Sequence, residues 1–289
     1  MFGSAPVVGK IALKTFPANA IVGFRVGGAA LAFLVLQTIA GGLRLADKKD
    51  YWRIALYSFL GVVCNQLLFF NGLRLTTATN TALLAVMIPI FATAFSVAFG
   101  FDNLTWRKIA GILVAACGVV YLIDPTRANF SFETVQGDLI IIVNCLFYAS
   151  YIAVSKDVVA RNGALKTIAW LFLFGAIVCV PLGIYSLSAI DFGAISLSAW
   201  QAVFYLVLFQ TIAAYFLNAW ALARVAPSTV AVYIYLQPLI GFTLAVLFLG
   251  ENFTLKIIIA GLLIFAGVFL VSRKRKNQSV ATDIHASLR

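Results

Sequence analysis

Charge is scarce in this sequence. Only 11% of its 289 residues are charged, where a soluble domain carries about 25%. Acids are scarcer still, with 10 Asp and Glu against 21 Lys and Arg. They are Asp47, Asp50, Asp102, Asp124, Glu133, Asp138, Asp157, Asp191, Glu251 and Asp283, and each falls in a loop, at a helix end or in the tail. No carboxylate stands inside an apolar run, where it could exchange a proton for a cationic drug. One histidine, His285, lies in the tail, which excludes histidine catalysis and histidine metal sites. Cys64, Cys117, Cys145 and Cys179 sit singly within apolar runs, without C-x-x-C spacing, and read as helix-packing thiols. No G-x-x-x-x-G-K-[ST] loop is present to cradle nucleotide phosphates. The apolar runs hold no metal-ligand cluster, Ser/His pair or acid pair, so neither an enzyme nor a cofactor is expected.

What the sequence does have is long apolar runs. Hydrophobic residues make up 63% of the chain and mean hydropathy is +1.01. Water-soluble packing cannot hide that much apolar surface, so a lipid bilayer is the expected solvent. Runs of roughly 17–25 apolar residues span a bilayer as helices. Barrel strands would alternate over about 10 residues, and these runs do not. They fall at about 18–40, 54–73, 79–100, 107–123, 137–156, 166–187, 200–222, 229–249 and 255–272. Residues 2–16 read as the back half of a further helix whose beginning is incomplete. Residues 273–289 form a basic, polar tail. The net charge of +11 is spread in short clusters between the runs, which speaks against nucleic acid and for topology signals.

The segment Asn71–Leu122 recurs as Trp220–Val271. Pro89 falls on Pro238, Asp102 on Glu251, Asn103 on Asn252, Thr105 on Thr254 and Gly118 on Gly267, each at a shift of 149. Ala110–Gly111 meets Ala260–Gly261 after a one-residue slip. Repetition of this kind fixes the architecture before any single element does. It predicts an all-α membrane protein with ten transmembrane helices in two five-helix repeats, residues 1–124 and 136–272. Five is odd, so the second repeat enters the membrane from the opposite side and the two are inverted. Inverted repeats underlie alternating access in many secondary transporters.

Lysine and arginine in the loops set the orientation. One side gathers Arg44, Lys48, Lys49, Arg53, Arg107, Lys108, Lys156, Arg161, Lys166, Arg224 and the cluster from Arg273 to Lys276. The other holds Lys14, Arg74, Arg127 and Lys256. This bias predicts a multi-pass protein with its C-terminus in the cytoplasm.

At this point the chain resembles the EamA-type branch of the drug/metabolite transporter superfamily. The resemblance rests on FGSAPVVGKIAL at residues 2–13, FRVGGAALAFL at 24–34, and the two proline-containing helices followed by the GEN-x-T turn and the IAG segments. Phe2 departs from the usual tryptophan. The resemblance implies two inverted bundles around a central cavity and export of a metabolite or amino acid across the bacterial inner membrane. It does not imply one substrate. Efflux of amphipathic drugs, or a membrane scaffold that transports nothing, are the other readings.

Candidate residues follow from what an amino-acid site needs, namely donors for a carboxylate, acceptors for an ammonium and aromatic walls. The charges inside spans are Lys10 and Arg25, which either attract a substrate anion or snorkel to an interface. The polar and aromatic candidates are Asn65, Gln66, Asn80, Tyr148, Tyr151, Gln210, Tyr215, Tyr233 and Gln237, with Asn144, Asn218 and Tyr235 in the same spans. Their alternative role is plain inter-helix hydrogen bonding. Pro89 and Pro238 are matched kinks that serve either as hinges or as packing bends. Gly23-x-x-x-Gly27 predicts close helix packing within the chain or a homodimer face. Thr105 and Thr254 read as helix N-caps, and Trp220 as an interfacial anchor.

Overall fold

The structure, a computed structural model, describes residues 2–85, 87–123, 132–188, 190, 192, 195–237 and 255–272. Pro238, Glu251, Thr254 and the basic tail lie outside the described residues. Everything described is helix or connecting loop. A 3₁₀ turn, Phe2–Ser4, leads into α1 (Ala5–Leu13), and α2 (Ala18–Ala40) follows. Next comes one rod built from α3 (Lys48–Ser58), a π-helical stretch (Phe59–Cys64) and α4 (Asn65–Leu75). Then come α5 (Ala78–Leu84), α6 (Met87–Ala98), α7 (Trp106–Ile123), α8 (Phe132–Asn162) and α9 (Ala164–Leu187). A second composite rod joins α10 (Leu197–Tyr205), a π-helical stretch (Leu206–Ala213) and α11 (Ala214–Leu222). The remaining described elements are α12 (Pro227–Val232), which passes into a 3₁₀ turn (Tyr233–Tyr235), and α13 (Leu255–Ser272).

With α5 and α6 taken as one interrupted rod, the described residues form ten rods, as the spacing of apolar runs predicts. Six are long and apolar enough to cross a bilayer: Ala18–Ala40, Lys48–Leu75, Asn80–Ala98, Thr134–Asn162, Ala164–Leu187 and Leu197–Leu222. The outward surface is apolar too. Leu31, Ile39, Ile177, Ile184, Leu262 and Phe265 are all more than half exposed. In water so continuous an apolar exterior would be an aggregation surface; here it faces hydrocarbon.

Local chemistry sets the helix ends. The Asp47 side chain accepts from Lys49 N at 2.9 Å and starts α3, and Ser196 Oγ accepts from Ala199 N at 3.3 Å and starts α10. Thr105 Oγ1 accepts from Lys108 N at 3.3 Å, the N-cap role expected for it. Gly163, with φ of +83°, is the lone residue between α8 and α9. Glycine reaches that region without strain, so a single residue reverses the chain. The expected run over 79–100 appears as the span Asn80–Ala98, with Ala85 in a turn ahead of Pro89. Pro89 lacks an N–H and its ring crowds the carbonyl four residues back, which is that of Ala85. That carbonyl accepts instead from Ile88 N at 3.1 Å.

Two helix pairs are the most extensively packed, α2 with α9 and α7 with α13. Glycine makes both contacts. A Cβ built on Gly23 would lie 2.9 Å from Gly183 Cα, and one on Gly267 would lie 2.5 Å from Gly111 O. The Gly23–Gly27 stripe therefore packs within the chain, with Gly27 facing Val180, and is not an open dimer face. The α7–α13 contact is reciprocal. At the repeat shift of 149, Gly111 corresponds to Ala260 and Gly118 to Gly267. Exchanging the repeats turns the Gly111–Gly267 contact into Ala260–Gly118. That contact also exists, since a Cβ on Gly118 would stand 3.1 Å from Ala260 O. Self-complementary contact of this type is what a two-fold relation generates.

These crossings leave no room for a larger side chain. Gly183→Val and Gly267→Val are each expected to destabilise the protein by about 1–3 kcal/mol, the usual cost of overpacking. The check is the thermal midpoint of the purified protein in detergent, where an unchanged midpoint in both variants would refute the close crossings.

Candidate functional site

The interior contains a cavity of about 120 Å³, counted as the space open to the centre of a water molecule. A single water needs about 10–15 Å³ on that measure, so the cavity has room for a small solute. It lies where the interruptions of the two repeats come together. Ala85 and Ile88 line it beside the break between α5 and α6, and Ile234, Tyr235 and Gln237 line it at the 3₁₀ turn after α12. Ala85 and Ile234, and Ile88 and Gln237, are repeat equivalents at a shift of 149. So are the π-helical stretches, since Phe59–Cys64 maps onto residues 208–213, inside Leu206–Ala213. Helix segments of this loosened kind recur at functional sites.

The wall brings together eight of the predicted residues: Arg25, Asn65, Gln66, Asn144, Tyr148, Tyr215, Tyr235 and Gln237. Gln66 and Tyr215 occupy equivalent positions, 149 apart, and bond directly, with Gln66 Nε2 donating to Tyr215 Oη at 3.0 Å. That hydroxyl also lies 2.9 Å from Gly61 O and 2.9 Å from Asn65 Oδ1; with one proton it donates to one of them at a time. Asn65 Nδ2 donates to Asn144 Oδ1 at 2.8 Å, and Asn218 Nδ2 to Tyr148 Oη at 3.3 Å. The result is a set of hydrogen-bonded amides and phenols in and behind the wall. Apolar side chains complete the lining, among them Ile88, Ile141, Ile234 and Phe69.

Arg25 is the charged member of this wall. It sits in α2, 3% exposed. Its Nε donates to Thr211 Oγ1 at 2.8 Å and its Nη2 to Gln210 O at 3.3 Å. Its guanidinium stacks over the Phe70 ring at 5.0 Å. All three partners are neutral, and among the described residues no carboxylate pairs with it or lines the cavity. Three of the described acids are engaged elsewhere. Asp50 is held by Arg161 at 2.6 Å and by Asn162 at 2.7 Å. Asp138 accepts from Thr76 and from Asn80, and Asp102 from Lys108 and Ser228.

Five predicted residues stand off the wall. Lys10 is half-buried on α1. Asn80 is tied to Asp138 at 2.9 Å. Tyr151 packs its ring against Gly61, where an added Cβ would meet it at 2.4 Å. Gln210 donates from Nε2 to Ser4 Oγ at 2.7 Å. Tyr233 is half-exposed. Of the two hinge candidates, Pro89 adjoins the break in its rod and Pro238 lies outside the described residues. Trp220 carries the Arg224 guanidinium 4.0 Å over its ring, as an exposed anchor would.

Sequence reasoning missed Phe69, Thr81, Cys145, Gly3, Ala5 and Pro6 as wall residues. A signal existed for Thr81. It stands two turns before Pro89, on the face that carries Ala85 and Ile88. Cys145 and Phe69 carried none, since either is an ordinary core residue by type.

An all-helical membrane bundle with a polar-walled cavity between two like halves is the architecture of a solute transporter. The chain belongs to the EamA-like transporter family, whose sequence profile matches residues 1–123 and 135–273. Among its relatives, the uncharacterized transporter YetK of Bacillus subtilis (strain 168) is 24% identical over 277 residues, covering 95% of this chain and 84% of its own. The probable terminal-alkyne amino-acid exporter of Streptantibioticus cattleyicolor is 24% identical, over 87% of this chain and 86% of its own. The uncharacterized inner membrane transporter YicL of Salmonella typhimurium is 23% identical, over 82% and 78%. A solved crystal structure shares the fold at a TM-score of 0.78 and 18% identity, covering 94% of this chain and 92% of its own. The family is one of transporters, not of enzymes.

The wall makes a direct stability prediction. Tyr215→Phe removes the hydroxyl that Gln66 reaches and should cost about 1–3 kcal/mol, because the buried amide loses its partner. The paired change Gln66→Leu with Tyr215→Phe should cost less than the two singles summed. Additive losses in a double-mutant cycle, read from thermal midpoints, would show that the two do not interact.

Proposed function

We propose that this protein is a secondary transporter that exports a small metabolite, an amino acid or a related compound, across the inner membrane by alternating access. In this reading residues 1–124 and 136–272 are inverted five-helix repeats. The ten rods span the membrane, and the tail 273–289 is cytoplasmic. The cavity is the substrate site, and Arg25 takes the substrate's anionic group.

One observation carries the reading. Arg25 is a buried cation on the wall of the cavity, and among the described residues no acid neutralises it. A charge within a membrane bundle is costly and marks a pathway or a binding site. An anionic substrate supplies the missing partner, while the amides and tyrosines offer acceptors and ring faces to the rest of it. The same charge opposes the drug-efflux reading, because a cationic amphiphile would meet Arg25 with no carboxylate beside it. The relationship to a probable amino-acid exporter supports the substrate class. The reciprocal α7–α13 contact and the Gln66–Tyr215 pair support the two-fold relation between the repeats. The break before Pro89 supports bending at that point.

The first test is counterflow of radiolabelled amino acids and related metabolites into proteoliposomes. Saturable counterflow is expected for a carboxylate-bearing class. Its absence, together with thermal stabilisation by lipophilic drugs, would move the protein to the efflux reading. Arg25→Gln should raise KM about 10- to 100-fold, the equivalent of about 1.5–3 kcal/mol for a hydrogen bond to a charged group. Lys10→Gln should leave KM within about two-fold, as its place off the wall requires. If Pro89 is a hinge, Pro89→Ala should slow turnover more than it weakens binding; unchanged turnover would leave it a packing kink.

A further inference from the structure

The way Arg25 is held says what kind of anion it can take. Its Nε and Nη2 form one edge of the planar guanidinium, and that edge is docked on Thr211 Oγ1 at 2.8 Å and Gln210 O at 3.3 Å. The face of the group is covered by Phe70 at 5.0 Å. Five N–H groups radiate from a guanidinium. With two engaged, the end edge between Nη1 and Nη2 has no hydrogen-bond partner among the described residues, and the residue lines the cavity. An end edge of this shape accepts one carboxylate through two parallel hydrogen bonds.

Thr211 fixes this geometry from both sides of its hydroxyl. It is fully buried, and its own proton goes to Leu206 O at 2.9 Å, five residues back across the π-helical stretch. Its lone pairs are therefore turned to Arg25 Nε. The device exists in one repeat only, because the equivalent position in the first repeat is Val62. Among the described residues no second cation lines the cavity.

We propose that the site reads substrates with a single carboxylate through the free end edge of Arg25, and that Thr211 is the residue that positions it. A dicarboxylate or a phosphate ester would bring a second negative charge to a wall with one cation, and is excluded. This rests on the reading of Arg25 as the anion-binding residue.

The experiment is counterflow by the full chain in proteoliposomes, with matched triads as probes. Each triad is a monocarboxylate, its dicarboxylate and its phosphate ester, built on phenyl, isobutyl and methyl bodies. The amino acids bearing the same side chains run alongside. Counterflow confined to monocarboxylates and amino acids, at least ten-fold over the dianions, is the expected result. Thr211→Val should then raise KM about five- to twenty-fold with kcat held, and Thr211→Ser should restore it. Thr211→Ala replaces the valine variant if the latter does not elute as a single species. A dianion carried as well as its monocarboxylate, or valine and alanine variants with wild-type KM, would overturn this inference and leave the anion reading standing. Counterflow of uncharged amide analogues equal to that of the acids would overturn the anion reading itself.

Discussion

A backbone amide in hydrocarbon has no water to turn to. Each unpaired N–H or C=O there costs several kcal/mol, so a spanning segment stays helical unless the loosened groups face protein or a cavity. The irregularities of this bundle obey that constraint. The turn at Ala85 before Pro89 and the 3₁₀ turn at Tyr233–Tyr235 line one interior space, and the two π-helical stretches end within two residues of the wall residues Asn65 and Tyr215. Where a helix is loosened, a neighbour answers: Gly61 O lies 2.9 Å from the Tyr215 hydroxyl, and Gln210 O receives Arg25. The cavity and the broken helices are one feature, because neither is tolerable in lipid without the other.

Duplication explains why the irregularities come in pairs. Two copies of one pattern, packed reciprocally through Gly111, Gly118, Ala260 and Gly267, bring equivalent positions face to face at their junction. Gln66 meets Tyr215, and Ala85 and Ile234 share a wall. A junction between like surfaces can stay symmetric or can diverge. Here the backbone stays alike while the side chains differ: Gln66 against Tyr215, Ile88 against Gln237, Val62 against Thr211. Backbone likeness keeps the fold reciprocal, and side-chain difference gives the cavity a lining that mixes polar and apolar groups.

Much of this was legible in the sequence, for physical reasons that differ by element. The rods could be read because lipid demands long apolar runs, and the pairing of halves because residues 149 apart repeat. The kink at Pro89 was legible because a proline fixes where helical hydrogen bonding fails, and the turn at Ala85 falls there. The wall was half legible. Arg25, Gln66 and Tyr215 stand out by being polar among apolar neighbours. Asn80 and Gln210 stand out in the same way, yet they serve Asp138 and Ser4. Polarity in a span says that a partner is needed, and only packing says which one. Cys145 and Phe69 were invisible, because a cavity wall made of core-type residues differs from the core only by what is missing beside it.

Arg25 shows how a costly group is kept. Removing an acid partner from a buried cation normally destabilises a protein by about 3–5 kcal/mol, and here none of the described acids stands beside it. What offsets the cost is a set of neutral contacts arranged around the charge: a hydroxyl whose proton is already committed, a carbonyl at the π-helical stretch, and an aromatic face. Together they solvate one edge and one face of the guanidinium and leave the other edge without a partner among the described residues. An acid in that place would have neutralised the group permanently and closed the edge. Incomplete solvation of Arg25 is thus the condition for its binding anything, and the proposed cycle needs that incompleteness, since a substrate anion that binds must also be able to leave.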